Sequence, residues 1–215
     1  QRGMDIVARS VCWKHSATLF ALTFGAVPVS PSTPLHAFCR GLLVVVEALP
    51  LPTSFTLVDE SWGVAASLVW PLRPRLAALM TLNFGSYYSD EYVASEAHKS
   101  QAGMLRVLGQ KYKERDVGIV MTMMTGICAY GSPEEVALLQ DRFREALEEA
   151  PASYWDYWAA CLEWSVAQTT EALRDCAPIE GLPAVLACGA YSPAVAHQES
   201  TRRLQRLLVG SKLAF

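Results

Sequence analysis

No pair among the six cysteines of this 215-residue sequence has C-x-x-C spacing. They stand at Cys12, Cys39, Cys128, Cys161, Cys176 and Cys188, and no Cys/His group has zinc-finger spacing. Free thiols and an intracellular reducing compartment, cytoplasm or organelle, are the expectation. A large excess of one charge is also missing. Lys plus Arg is 18 and Asp plus Glu is 21, a formal net charge of -3. That excludes the basic surface a nucleic-acid binder needs and a polybasic membrane anchor. Long hydrophobic runs are absent too. Residues 17–29 are broken by Thr18, Thr23 and Gly25 and closed by Pro28, and residues 42–49 contain Glu47. Both are shorter than the roughly 20 apolar residues of a membrane span, so a soluble protein is expected. There is no Walker-type loop, no metal-ligand spacing and no carboxylate pair of the glycosidase kind, so no cofactor or metal is expected. The chain opens Gln1-Arg2-Gly3 without the layout of a signal peptide and reads as a processed or partly represented chain.

What is present is apolar. Hydrophobic residues make up 52% and charged residues only 18%, which excludes a disordered chain and predicts one domain with a large core. Residues 1–32 are left unplaced, and the Pro/Ser-rich stretch 28–34 reads as a loop. Leu35, Phe38, Leu42, Val45, Val46 and Leu49 recur on one side of a helix, with Thr33 as its cap, Pro34 in its first position, and Pro50 and Pro52 beyond its end. Residues 54–58 read as a buried strand, 59–63 as a tight turn, 64–72 as an alanine-rich buried helix and 76–82 as a second strand. Strand, turn, helix and strand over about 30 residues make a βαβ unit with a parallel sheet.

The middle of the chain changes character. Residues 89–176 read as all-helical. Ser132-Pro133-Glu134-Glu135 is a helix start with cap, proline and acids in order. Tyr154, Trp155, Tyr157, Trp158 and Trp164 make an aromatic face, read either as core and lid packing or as a substrate box. The βα pattern then returns, with a strand over 182–188, a turn over 189–193, a helix over 195–208 and a last strand beginning at Leu213. The division is an N-terminal core part (1–88), a helical cap or lid (89–176) and a C-terminal core part (177–215).

One turn carries chemistry. Ser61 stands between a buried strand and an alanine-rich helix, with Gly63 two positions later. That arrangement is a nucleophile elbow in outline: a sharp turn holds the serine exposed, and the backbone N–H of Trp62 becomes an oxyanion donor near the helix N-terminus. The alternative reading of Ser61 is a turn serine.

Here the sequence resembles the α/β-hydrolase fold family. The run Phe55-Thr-Leu-Val-Asp-Glu-Ser-Trp-Gly63 is similar to that family's strand and elbow, with Asp59 where its G-x-S-x-G pattern has glycine. Residues 71–79, 183–193 and 200–214 resemble its later helices and strands. Gln1-Arg2-Gly3 and the helical block resemble its proline iminopeptidase and tripeptidyl aminopeptidase-like branch. The resemblance implies a partial hydrolase core, with a parallel sheet flanked by helices and an inserted all-helical cap. It places the triad acid on Ser192, which cannot hold an imidazolium by charge; Glu199 is the nearest carboxylate. His15, His36, His98 and His197 do not fall where the family has its base, after the last strand. His197 reads as a surface helix residue.

Two functions follow. The first is a catalytically impaired hydrolase-like protein, a pseudoenzyme serving as a structural or binding subunit of a larger assembly, because a half-sheet with open edges needs the rest of its own chain or a partner surface. The second is an active serine hydrolase, aminopeptidase- or esterase-like. It would use Ser61 on a small peptide or ester under the cap, with acid and histidine supplied from elsewhere.

Overall fold

In the computed structural model the described residues are 27–60, 64–85, 87–128, 131–189 and 195–214. Among them, four strands form one parallel sheet: β1 (Phe55–Glu60), β2 (Leu76–Leu82), β3 (Ala184–Ala187) and β4 (Lys212–Ala214), in that spatial order. Helix α1 (Leu35–Ala48) precedes β1. Helix α2 (Val64–Leu72), followed by a 3₁₀ turn (Arg73–Arg75), connects β1 to β2. Between β2 and β3 come α3 (Asp90–Ala94), α4 (Glu96–Glu114), α5 (Val117–Cys128), α6 (Pro133–Glu148), α7 (Ala152–Glu163), a π-helical turn (Trp164–Gln168) and α8 (Thr169–Arg174). Helix α9 (Val195–Leu207) connects β3 to β4.

The pleat divides the sheet residues into two sets. On one face the row Asp59–Thr81–Leu186–Leu213 lies in register beside Leu57–Leu79–Ala184. Leu79 and Leu186 there join Leu68, Val69 and Leu72 of α2, Leu204 and Leu208 at the C-terminal end of α9, and Phe38 and Leu42 of α1 in the main core. A second core forms between α4, α5, α6 and α7, with Leu105, Leu108, Tyr112, Val120, Leu147, Trp155 and Leu162 buried. The helices form where the sequence provides both a stripe and a start. Ser132 accepts the Glu135 N–H at 3.3 Å while the Glu135 carboxylate accepts the Ser132 N–H at 2.8 Å, a closed capping box.

Two local expectations are corrected. Thr33 does not cap α1. Its hydroxyl accepts the Ser30 N–H at 2.8 Å, Pro34 is the cap residue, and the Leu35 N–H is taken by the Gln168 side chain at 2.8 Å, from 133 residues away. Strand β1 does not stop at Val58. It runs on through Asp59 and Glu60, which pair with Thr81 and Leu82; the acidic residues belong to the strand because parallel pairing, not side-chain hydropathy, sets its length.

Candidate functional site

Ser61, Trp62 and Ser192 lie outside the described residues. The elements that flank them are described: β1 ends at Glu60 and α2 begins at Val64, and β3 ends at Ala187 with α9 beginning at Val195. In an open parallel sheet the carboxyl ends of the strands are where ligands bind. The residues gathered there show what chemistry this chain provides.

Asp59 is the first. As the penultimate residue of β1 it sits on the core face, opposite Thr81. Its carboxylate is close enough to Tyr157 and Cys161 of α7 to act on both. Burial pushes the Cys161 thiol up to about 12, and the negative charge of Asp59 adds to that. Burial, then Cys161 and Asp59, hold the Tyr157 hydroxyl well above its ordinary value. Burial also pushes Cys39 of α1 up to about 11. This corner therefore holds the protonated Cys161 thiol and a neutral phenol beside one carboxylate, with the protonated Cys39 thiol close to the phenol. None of them is a nucleophile at neutral pH, because the thiolate is the reactive form. Free thiols at Cys39, Cys161, Cys176 and Cys188 are described. Among the described residues no group of three or more His, Cys, Asp or Glu could hold a metal ion.

The second cluster lies at the ends of β2 and β3, and the sequence reading missed it. Asn83 turns the chain out of β2 in the left-handed region (φ 51°), which asparagine tolerates. Its N–H donates to the Ala187 carbonyl at 2.7 Å and its Oδ1 accepts the Gly189 N–H at 2.9 Å, tying the two strand ends together. Gly85 follows. A Cβ built there would overlap the imidazole of His197, so the glycine makes room for that ring. The Tyr88 hydroxyl donates to the Gly85 carbonyl. The Thr201 hydroxyl is within hydrogen-bond reach of the carbonyls of Phe84, at 3.2 Å, and His197, at 2.7 Å. The sequence signal was an Asn-x-Gly turn just after a strand.

His197 is thus not a surface residue. It is held inward at the start of α9, and burial lowers its pKa. His98 is buried too, with its ring 5.5 Å from Tyr88 and 5.5 Å from Tyr92 between centroids, and burial likewise lowers its pKa. His36 is exposed on α1, and His15 lies outside the described residues. Glu199, in the second turn of α9, pairs with Arg203 at 4.0 Å, and the Arg203 guanidinium lies 4.7 Å above the Tyr87 ring. After burial, the charge of Glu199 is a further cause that raises Tyr92. The described residues therefore place at the carboxyl edge an imidazole whose pKa burial holds below its ordinary value.

A pH dependence follows. For both histidines the folded pKa is below the unfolded value of 6.5. The unfolded chain therefore binds more protons in the window just below 6.5. The stabilising contribution is complete above that value and is lost as the pH falls from it toward the folded pKa. Denaturant unfolding at a series of pH values between about 5 and about 8 should show this loss, and His197→Gln should flatten it. An unchanged slope in that variant would remove His197 as a cause.

Among the described residues no helix is long and apolar enough to cross a membrane. No protein-family model matches the sequence, and no curated protein matches it. Solved structures do match. The chain is similar to a hydrolase from Pseudomonas aeruginosa (17% identity, TM-score 0.60, covering 87% of this chain and 64% of that one). It is similar to a thermophilic esterase from Thermogutta terrifontis (18% identity, TM-score 0.59, 87% and 64%). It is similar to a haloalkane dehalogenase from Agrobacterium tumefaciens (16% identity, TM-score 0.60, 87% and 66%). The chain spans 64% of the length of the first two. At these identities the likeness is one of fold: a parallel sheet flanked by helices, matching part of the α/β-hydrolase fold.

Proposed function

We propose that this chain is a hydrolase-fold protein of impaired catalysis that serves as a binding or structural subunit of a larger assembly. The observation that carries the reading is Asp59. A working elbow needs a near-absent side chain two residues before its nucleophile and positive potential where the oxyanion forms. Here that position bears a carboxylate, on the core face, beside Tyr157 and Cys161. A negative charge near a developing oxyanion raises the barrier instead of lowering it. Ser192 in place of the triad acid works in the same direction. Descent from the proline iminopeptidase and tripeptidyl aminopeptidase-like branch is part of the proposal. It is supported by Gln1-Arg2-Gly3 and by the run of helices between β2 and β3, the block proposed as a cap over residues 89–176. The free thiols support a reducing compartment.

The second reading is an active serine hydrolase, with Ser61 attacking an ester or a peptide N-terminus and the Trp62 N–H binding the oxyanion. The enzymes whose fold it shares favour it. A fluorophosphonate probe separates the two. The full-length native protein should stay unlabelled under conditions that label a control serine hydrolase to completion. Stoichiometric labelling lost in Ser61→Ala would establish the second reading.

A further inference from the structure

Three aromatic rings meet just beyond the carboxyl end of β2, and one of them titrates. Two serines set their spacing. Ser89 accepts the Tyr92 N–H at 3.1 Å and starts α3, and Ser95 accepts the His98 N–H at 3.2 Å and starts α4. These successive caps bring Tyr92 and His98 together, with ring centroids 5.5 Å apart. Tyr88 completes the group, 5.1 Å from Tyr92 and 5.5 Å from His98. Tyr88 is 1% exposed and His98 6%. Residues 87–94 are fastened on their other side as well. The Tyr87 N–H donates to the Ser200 hydroxyl of α9 at 3.1 Å, the Tyr88 N–H to the Thr170 hydroxyl of α8 at 3.5 Å, and the Tyr88 hydroxyl to the Gly85 carbonyl. The segment therefore runs from α9 to α4 beside the corner where Gly85 meets His197.

We propose that residues 87–94 are a strap at the carboxyl edge of the sheet that is released in acid, with the His98 ring as its latch. An orphaned nitrogen makes the ring a latch. His98 Nε2 is buried and has no hydrogen-bond partner. A neutral imidazole tolerates that, because its unpaired nitrogen is an acceptor. An imidazolium makes both nitrogens donors and adds a charge that burial penalises. Burial lowers the His98 pKa most, the Val93 carbonyl raises it, and the Arg106 guanidinium on the same helix lowers it again. The groups around the ring are engaged elsewhere. The Tyr88 hydroxyl is on the Gly85 carbonyl, and the Tyr92 hydroxyl donates to the Gln101 side chain at 3.1 Å. Glu199 of α9, whose charge reaches both tyrosine hydroxyls, lies 4.0 Å from Arg203. On α3, Asp90 and Glu91 are exposed, and Asp90 pairs with Arg174 of α8 at 3.6 Å; Glu96 pairs with Lys99 at 2.6 Å. A protonated ring is therefore stabilised by turning out to water. That takes the packing partner from Tyr88 and Tyr92, and with Tyr88 goes the donor on the Gly85 carbonyl. Ligands of an open parallel sheet approach at this edge, so release of the strap uncovers the Gly85–His197 corner to them. The inference is independent of whether Ser61 is catalytic.

Hydrogen exchange of the full-length native protein reads the strap directly. Opening takes up a proton at His98, because the ordinary value of 6.5 lies above the value in the closed strap. The closed state is therefore fully favoured above 6.5 and weakens as the pH falls. Between about pH 7.5 and about pH 5.5, protection of the amides in 87–94, corrected for intrinsic exchange rates, should fall roughly three- to tenfold. That exchange should be insensitive to low urea, while the β2 amides follow the urea dependence of global unfolding. His98→Phe keeps an aromatic ring between the tyrosines and removes the proton site. It should abolish the pH dependence of 87–94 and leave their protection at neutral pH within about threefold of the parent. If that variant fails to fold, the His98 ring resonances of the parent serve instead: they should titrate with the same midpoint as the loss of protection. Amides of 87–94 that exchange only through global unfolding, a pH response that survives in His98→Phe, or a His98 that titrates while the strap stays protected would each overturn the inference.

Discussion

Trp164→Ala is expected to lower the unfolding free energy by about 3–5 kcal/mol and the melting temperature by about 10 °C. Trp164 is 1% exposed, and its ring lies 4.9 Å from Phe38 and 6.4 Å from Tyr157 between centroids. Its indole N–H donates to the Thr33 carbonyl at 2.7 Å, so one side chain joins the π-helical turn, α1 and the loop before α1. Truncation removes the packing, opens a cavity and leaves that carbonyl without its donor. Trp164→Phe separates the effects. It keeps most of the ring contact and loses the hydrogen bond, at a cost of about 1–2 kcal/mol. Urea denaturation of the three proteins measures both differences. Near-equal stability of Trp164→Ala and the parent would show that the contact between α1 and the helical block contributes little.

Gly85→Ala is the second large effect, and it acts through His197. The added methyl must overlap the imidazole, and the backbone on the far side is pinned by the Tyr88 and Thr201 hydroxyls on the Gly85 and Phe84 carbonyls. Overpacking of this kind costs about 1–3 kcal/mol. The partner identity makes the expectation specific. In Gly85→Ala/His197→Ala the clash is gone, so the double variant should recover part of the loss, with a coupling energy of about 1–2 kcal/mol. Strict additivity would mean that the ring does not rest on Gly85. The imidazole resonances should move in Gly85→Ala as well, because the ring is displaced toward water and its lowered pKa should rise toward 6.5.

Much of the fold was legible along the chain, and the reasons differ by element. The helix starting at Pro133 was readable to the residue because capping is local: Ser132 and Glu135 satisfy each other's backbone within four residues. Strands β1, β2 and β3 were readable as apolar runs, although β1 runs two residues further, because its end is decided by pairing with β2. The start of α1 was legible in position but not in mechanism, since the donor's partner, Gln168, is remote in sequence. Ser61, Trp62 and Ser192 could be nominated from the elbow pattern alone. Asn83, Gly85 and His197 could not, because three residues from two distant segments meet only when β2 and β3 pair and α9 packs behind them.

The sequence by itself determined the class of architecture: alternating strands and helices, a helical block between β2 and β3, a near-neutral charge and thiols without metal spacing. Hydropathy period, caps and turn residues are local quantities, and local quantities survive without a fold. Only the tertiary structure decided which side of each apolar strand meets the core. Residues 76–82 read as buried throughout, yet Leu79 is enclosed while Met80 faces outward, one pleat apart. An all-apolar parallel strand carries no alternation to mark its inner face. The order of the strands and their crossovers, which no window of sequence contains, placed the described helices over Leu79 and put Val58, Met80 and Val185 on the opposite face.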